Sequence, residues 1–305
     1  MHDCSKKGWE YGRGLWEPLP GKEKAGCSEI PPNWRHEGTK KVDIPVRNTL
    51  LTLKVAAIQY RAVPSNKEEN IRCLSDLVIM AAINDAGIIV LPEMCTTGLD
   101  IQSKAEAEIL AETIPGPATN VFAMAARLYK VYIVLGMAEF DPTTGKFHNS
   151  QVILGPDGFI IGKYRKIHLF GPDLNWAEIG DLGYQAVNTQ WGRIGLGICC
   201  DINYWEFINY LSEAQVDILT FSTNWVGDGL PFQYWSEMVS GCNFFLIAAN
   251  NWGDERELHF TGGSTILSPD STVLSCTHSS ANTVIYAELP LAAFASTAHS
   301  SLDDL

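Results

Sequence analysis

Between Leu51 and Asn250 the chain switches repeatedly between short runs of Val, Ile and Leu and stretches with helical spacing, and this alternation restricts the fold most. LKVAAIQ (53–59) reads as a buried strand, followed by a helix with Ile71, Leu74, Leu77, Val78 and Ala81 on one face. GIIVLPE (87–93) is a second strand, and a helix near 118–129 with Val121, Phe122, Ala125 and Tyr129 on one side precedes VYIVLGMA (131–138). SQVILG and FIIGKYRK flank the turn signal PDG at 156–158. The same style then repeats. IGLGIC (194–199) leads into a helix at about 204–214, DILTFS (217–222) into one near 231–242, and FFLIAAN (244–250) into closing strands in GGSTILSP, STVLSC and TVIYAEL. Short apolar runs alternating with helices imply sheets covered by helices, and the late hairpins make those sheets mixed.

The expected organisation is one α/β domain over residues 51–290. Residues 1–50, rich in Gly, Pro and Lys, read as an irregular arm. Trp9, Trp16 and Trp34 suggest that it packs on the domain or on a neighbouring subunit, because solvated leaders are poor in aromatics. Residues 291–305 read as a small polar tail.

Composition excludes several function classes. The net charge is −13, and no Lys/Arg-rich run occurs, which argues against nucleic acid and anionic membrane surfaces as partners. No stretch approaches the roughly 18 apolar residues of a membrane helix, and MHDCSKKGWEYGRGLW lacks the apolar core of a signal peptide. A cytoplasmic location is therefore expected. The eight cysteines show no C-x-x-C spacing and the seven histidines no H-E-x-x-H, so neither a metal nor a cofactor is expected.

Three polar residues end buried strands, where side chains emerge at the rim of a rigid sheet: Glu93 in VLPEMCTTG, Lys166 in GKYRKIHLF and Cys199 in GRIGLGICCDINYWE. A thiol attacks an amide as thiolate, so it needs a base or a cation nearby. A carboxylate can take the thiol proton, return it to the leaving amine and then activate water. A fixed cation, with a backbone N–H beside the nucleophile, can hold the oxyanion. Glu93, Lys166 and Cys199 supply one residue for each task.

Set in order with their flanks, these segments resemble the nitrilase superfamily of carbon–nitrogen hydrolases over roughly residues 53–290. The motifs are VAAIQ, Glu68-x-Asn70, the L-P-E ending in Glu93, Tyr164 to Leu169, and Gly192, Gly195, Ile198, Cys199 and Asp201. They continue with Asn224–Trp225, A-A-N at 248–250, and Gly262 to Ser264. The resemblance implies a four-layer αββα sandwich with two mixed sheets covered by helices, pairing through those helices into a homo-oligomer. It implies Glu93, Lys166 and Cys199 as catalytic residues. The spacing to Asp201 selects Cys199 over Cys200, whose N–H then becomes an oxyanion donor; a one-residue slip of the strand end would make Cys200 the nucleophile. Asp201 is expected to cap the helix that follows.

Departures from the family pattern are informative. A second glutamate seven residues before G-D falls here on Asp173, one methylene shorter, with Glu178 as a structural neighbour. Branches that take carboxylate-bearing substrates place Arg four residues after the nucleophile, where this chain has Asn203. Asn203, Tyr204, Trp225 and Trp176 are the candidate substrate contacts, making an aromatic and largely neutral pocket. The leading reading is thioester-forming hydrolysis of an uncharged amide. Nitrile hydrolysis by the same thiol, and a non-catalytic binding protein on the same fold, are the alternatives.

Overall fold

The computed structural model describes residues 52–227 and 229–290; the expected arm at 1–50 and tail at 291–305 lie outside the described residues. The strands are β1 Thr52–Gln59, β2 Ile88–Val90, β3 Tyr132–Asp141, β4 Lys146–Leu154, β5 Ile160–Arg165, β6 Gln185–Thr189, β7 Gly192–Ile198 and β8 Ile218–Thr223. They continue with β9 Phe245–Asn250, β10 Trp252–Glu255, β11 Leu258–Thr261, β12 Thr265–Leu267, β13 Val273–Cys276 and β14 Thr283–Pro290. The helices are α1 Lys67–Ile83, α2 Lys104–Leu110, α3 Pro117–Tyr129, α4 Trp205–Glu213 and α5 Phe232–Met238.

Two six-stranded sheets form, in the orders β14-β1-β2-β3-β4-β5 and β13-β12-β9-β8-β7-β6. In each, three central strands run parallel and the flanking strands antiparallel, so both sheets are mixed. Alternation along β1 explains the layering. Val55 and Ala57 face the second sheet and pack with Val90, Val134, Ile194, Ile198, Ile218 and Ile247. Ala56 and Ile58 face outward onto α1 and α3, meeting Leu74, Val78, Phe122 and Ala126. On the far side, Phe207, Leu211 and Trp235 of α4 and α5 cover Leu219, Phe221 and Leu246. The result is the expected αββα sandwich. Burying each Val, Leu, Ile or Phe among these side chains contributes about 1.5–3 kcal/mol.

Several local expectations shift. α1 buries Asn70, Leu74, Val78 and Ala81, with Ile71 and Leu77 on the flank. α3 buries Ala118, Thr119, Phe122 and Ala126 and leaves Val121 exposed, because the i, i+4 row Ala118–Phe122–Ala126 is the one turned to the sheet. The strand expected over 87–93 ends at Val90, which leaves Glu93 in a turn. The short edge strand β6 and the β10–β11 hairpin carry no long apolar run, and periodicity did not mark them.

Candidate active site

The site lies where β2, β5, β7 and β8 end. Lys166 follows β5 directly and its N–H donates to Asn149 O of β4 at 2.8 Å. Cys199 follows β7 and opens a 3₁₀ turn, Cys199–Asn203, with φ of +44°. A non-glycine residue in this left-handed region costs of order 1–3 kcal/mol and persists only where the surroundings impose it. Here they do: Asp201 Oδ2 accepts from Ile198 N at 3.0 Å, and Asp201 Oδ1 lies 2.9 Å from His168 Nδ1. Asp201 therefore secures the elbow beneath Cys199. This corrects the expectation that it caps α4, whose N-cap is Tyr204 with no side-chain cap bond.

The Glu93 turn is pinned from three sides. Asn224 Nδ2, just beyond β8, donates to Glu93 O at 2.9 Å. Asn70 Nδ2 donates to Thr96 O at 3.0 Å, which accounts for the asparagine of the E-x-N segment. Gly136 of β3 passes beneath: a Cβ there would lie 2.6 Å from Glu93 Cα and 2.9 Å from Pro92 O, so only glycine permits this approach.

The charged groups form a closed ring. Lys166 Nζ donates to Glu93 Oε1 at 2.7 Å and to Asp173 Oδ2 at 2.6 Å. Asn149 Nδ2 donates to the same Glu93 Oε1 at 2.8 Å and to Asp173 Oδ1 at 3.0 Å. Phe170 N gives Asp173 Oδ2 a further donor at 3.3 Å. All four side chains are buried. Lys166 has three donor protons and two named acceptors in the ring. Glu93 Oε2 is buried and accepts no hydrogen bond from the described residues.

The electrostatics follow from this crowding. Burial would lower the Lys166 ammonium, but Asp173 and Glu93 outweigh it and hold its pKa well above the ordinary value. Burial raises the Glu93 carboxyl, Lys166 pulls it back, and Asp173 pushes it up again. The Cys199 thiol is pushed up to about 12 by burial and by the Glu93 charge, against the pull of Lys166 and the Asn224 N–H. At neutral pH it is therefore a thiol, with the Glu93 carboxyl and the Lys166 ammonium within electrostatic reach. Cys200 is also raised by burial, and its Sγ donates to His168 O at 2.7 Å.

The structure thus brings Glu93, Lys166, Cys199, Cys200 and Asp173 together. Tyr204 is half-buried and stacks on His168 with centroids 3.5 Å apart. Trp225 is half-buried between Tyr234 and Trp235, and its N–H donates to Asn250 Oδ1 at 2.8 Å. Asn203 is exposed, and its Oδ1 accepts from Tyr234 OH at 2.8 Å. Trp176 is 1% exposed, in a cluster with Met94, Leu99, Phe147 and Phe260. Glu178 pairs with Lys104 at 3.1 Å, away from the ring. Sequence reasoning missed Asn149. Its signal was HNSQ, four polar residues in a row inside a strand buried along its length, each of which must find a partner.

The carbon–nitrogen hydrolase family model matches residues 54–299. The chain belongs to the carbon–nitrogen hydrolase family. Among relatives of this carbon–nitrogen hydrolase, a nitrilase of Pyrococcus abyssi is 34% identical over 242 residues, covering 78% of this chain and 90% of its own. An omega-amidase of Bos taurus is 27% identical over 255 residues, covering 79% and 90%. A solved amidase of Nesterenkonia sp. AN1 from the nitrilase superfamily shares the fold with a TM-score of 0.70, 19% identity, and coverage of 79% and 92%. The chain is a hydrolase of carbon–nitrogen bonds other than peptide bonds. Among the described residues no helix is long and apolar enough to cross a membrane.

Proposed function

We propose that this carbon–nitrogen hydrolase cleaves an uncharged carboxamide through a thioester on Cys199. The observation that carries the reading is Glu93. Its Oε1 is saturated by Lys166 and Asn149, its Oε2 has no donor, and its charge acts on the Cys199 thiol. A thiol with a pKa near 12 gains little from waiting as thiolate; proton removal must accompany attack, which calls for an adjacent base.

Cys199 Sγ attacks the amide carbon as its proton passes to Glu93 Oε2. The third Lys166 N–H and the Cys200 main-chain N–H hold the oxyanion. Glu93 returns the proton to nitrogen, the C–N bond breaks, and ammonia or an amine leaves. Glu93 then draws a proton from water as its oxygen attacks the thioester carbon; the S–C bond breaks, Glu93 passes that proton to the departing sulfur, and the acid leaves with thiol and carboxylate restored. Asp173 shares the lysine charge and keeps the ammonium protonated throughout.

Neutral substrate is supported by Asn203 at the position where an arginine clamp would sit, and by Tyr204 and Trp225 as half-buried aromatic contacts. Asn203 is engaged by Tyr234 and Trp176 belongs to a core cluster, so the substrate contacts fall to the two aromatics. A glutamate-to-glutamine mutant of the amidase from Nesterenkonia sp. AN1, which has this fold, shows covalent addition of the acetamide moiety of fluoroacetamide at its active-site cysteine. The Pyrococcus relative favours a second reading, nitrile hydrolysis, in which the same thiol adds to the nitrile carbon. Ammonia release from matched amides and nitriles separates them. The amide reading expects release from the amide and its loss in Cys199→Ala with the fold retained; equal turnover by that variant overturns it.

A further inference from the structure

We propose that Asn149 is a positioning residue of the reaction: it fixes which oxygen of Glu93 receives the thiol proton and keeps that carboxylate ionised. The inference rests on the reading of Glu93 as base. Among the described residues, Asn149 is the one hydrogen-bonded to all three charged members of the ring. Its main-chain oxygen accepts from Lys166 N, and its two amide protons go to Glu93 Oε1 and Asp173 Oδ1.

The chemistry follows from the donor count. A carboxylate with no neighbours offers two equivalent oxygens, and a proton would settle on either. Here Oε1 already accepts from Lys166 and from Asn149, so protonation there would cost two charge-assisted hydrogen bonds. Oε2 has no donor and takes the proton at no such cost. Asn149 also binds Asp173 on the oxygen that Lys166 leaves free, so neither carboxylate of the ring can turn toward the other. An ammonium at this position would neutralise the base, and a carboxylate would repel both partners. A neutral double donor is the residue type that satisfies the geometry.

Its amide orientation carries a cost that packing alone would not select. Asn149 is fully buried, and its Oδ1 has no hydrogen-bond partner among the described residues. Leaving a buried carbonyl unsatisfied is unfavourable, and an apolar residue of similar size would avoid it. What the side chain gains is the pair of donated bonds to the two carboxylates. Facing Glu93, the titratable groups are Lys166 beyond β5, Asp173 in the Gly171–Asn175 turn, and the thiols of Cys199 and Cys200 beyond β7. Among the causes acting on Glu93, Asn149 is a neutral one that favours the ionised form.

The test is the pH dependence of Cys199 alkylation by iodoacetamide in the full-length chain, followed by peptide mass mapping, in wild type, Asn149→Leu and Asn149→Asp. Both substitutions remove donors from Glu93. The acid limb should move to higher pH, with alkylation at its foot slowed at least about tenfold, since a bond to a charged group is worth more than one pH unit. The rate on the alkaline plateau should change only a few-fold. A merely structural role would lower the plateau and leave the limb in place, and that result overturns the proposal. Thermal unfolding and circular dichroism check the fold; if Asn149→Leu does not fold, Asn149→Ala removes the same donors with a smaller side chain and is held to the same criterion. If wild-type Cys199 reacts no faster than Cys200 at any pH, the assignment of nucleophile and base falls instead, so the two failures are distinguishable.

Discussion

Replacing Asp173 by Asn keeps the shape of the side chain and removes one charge from the ring. Asp173 is fully buried and its carboxylate accepts three hydrogen bonds, from Lys166 Nζ at 2.6 Å, Asn149 Nδ2 at 3.0 Å and Phe170 N at 3.3 Å. Asparagine retains one oxygen, and its NH₂ then faces at least one of those donors. An unsatisfied buried donor costs about 1–3 kcal/mol, and breaking a buried ion pair about 3–5 kcal/mol. Glu93 still neutralises Lys166, so the lower figure governs, and the expected loss is about 3 kcal/mol. In a domain of this size that lowers the unfolding midpoint by roughly 6–12 °C. The effect on pH dependence has a definite sign. Asp173 pushes Glu93 up, so without it Glu93 remains ionised to lower pH and the acid limb moves down. Asp173 is also the foremost charge raising Lys166, so the alkaline limb moves down as well. Urea unfolding and a pH–rate profile read both. Unchanged stability, or a profile displaced to higher pH, would refute the reasoning.

Gly136→Ala places a methyl 2.6 Å from Glu93 Cα, against main chain that cannot swing aside; overpacking of this kind costs about 1–3 kcal/mol. Slower Cys199 alkylation and lower ammonia release are expected, and full activity would contradict the packing account. Cys200→Ala removes one side-chain bond to His168 O but keeps the main-chain N–H, so turnover should stay within a few-fold while Cys199→Ala has none; comparable losses would point to Cys200 instead. The family resemblance implies assembly through the sheet-covering helices, and Trp205 at the start of α4 is 70% exposed. Trp205→Glu should lower the light-scattering mass toward the monomer, and an unchanged mass would place the contact elsewhere.

The layering was legible because buried strands such as 53–59 and 194–199 are short, apolar and bounded, a pattern that local sequence preserves. Glu93, Lys166 and Cys199 were legible because each is a reactive residue just past such a strand. Asp173 was singled out by its spacing to Gly180–Asp181, and the structure sets its Oδ2 2.6 Å from Lys166 Nζ. Asn149 was not legible, because a polar residue inside a strand looks the same whether it meets water or two carboxylates. Asp201 was read as a helix cap because sequence shows which residue precedes a helix but not that His168 and Ile198 N compete for its oxygens. The α3 face was turned because Ala and Thr at 118, 119 and 126 weigh little in an apolar pattern, although small side chains are what close packing requires.

Rapid acid quench of the 305-residue enzyme during turnover of a short neutral amide, followed by peptide mass mapping, tests the central claim most directly. The account predicts an acyl adduct on Cys199 that hydroxylamine removes, absent from Cys200 and absent in Cys199→Ala. Steady turnover with no adduct on Cys199, or an adduct carried by Cys200, would contradict it.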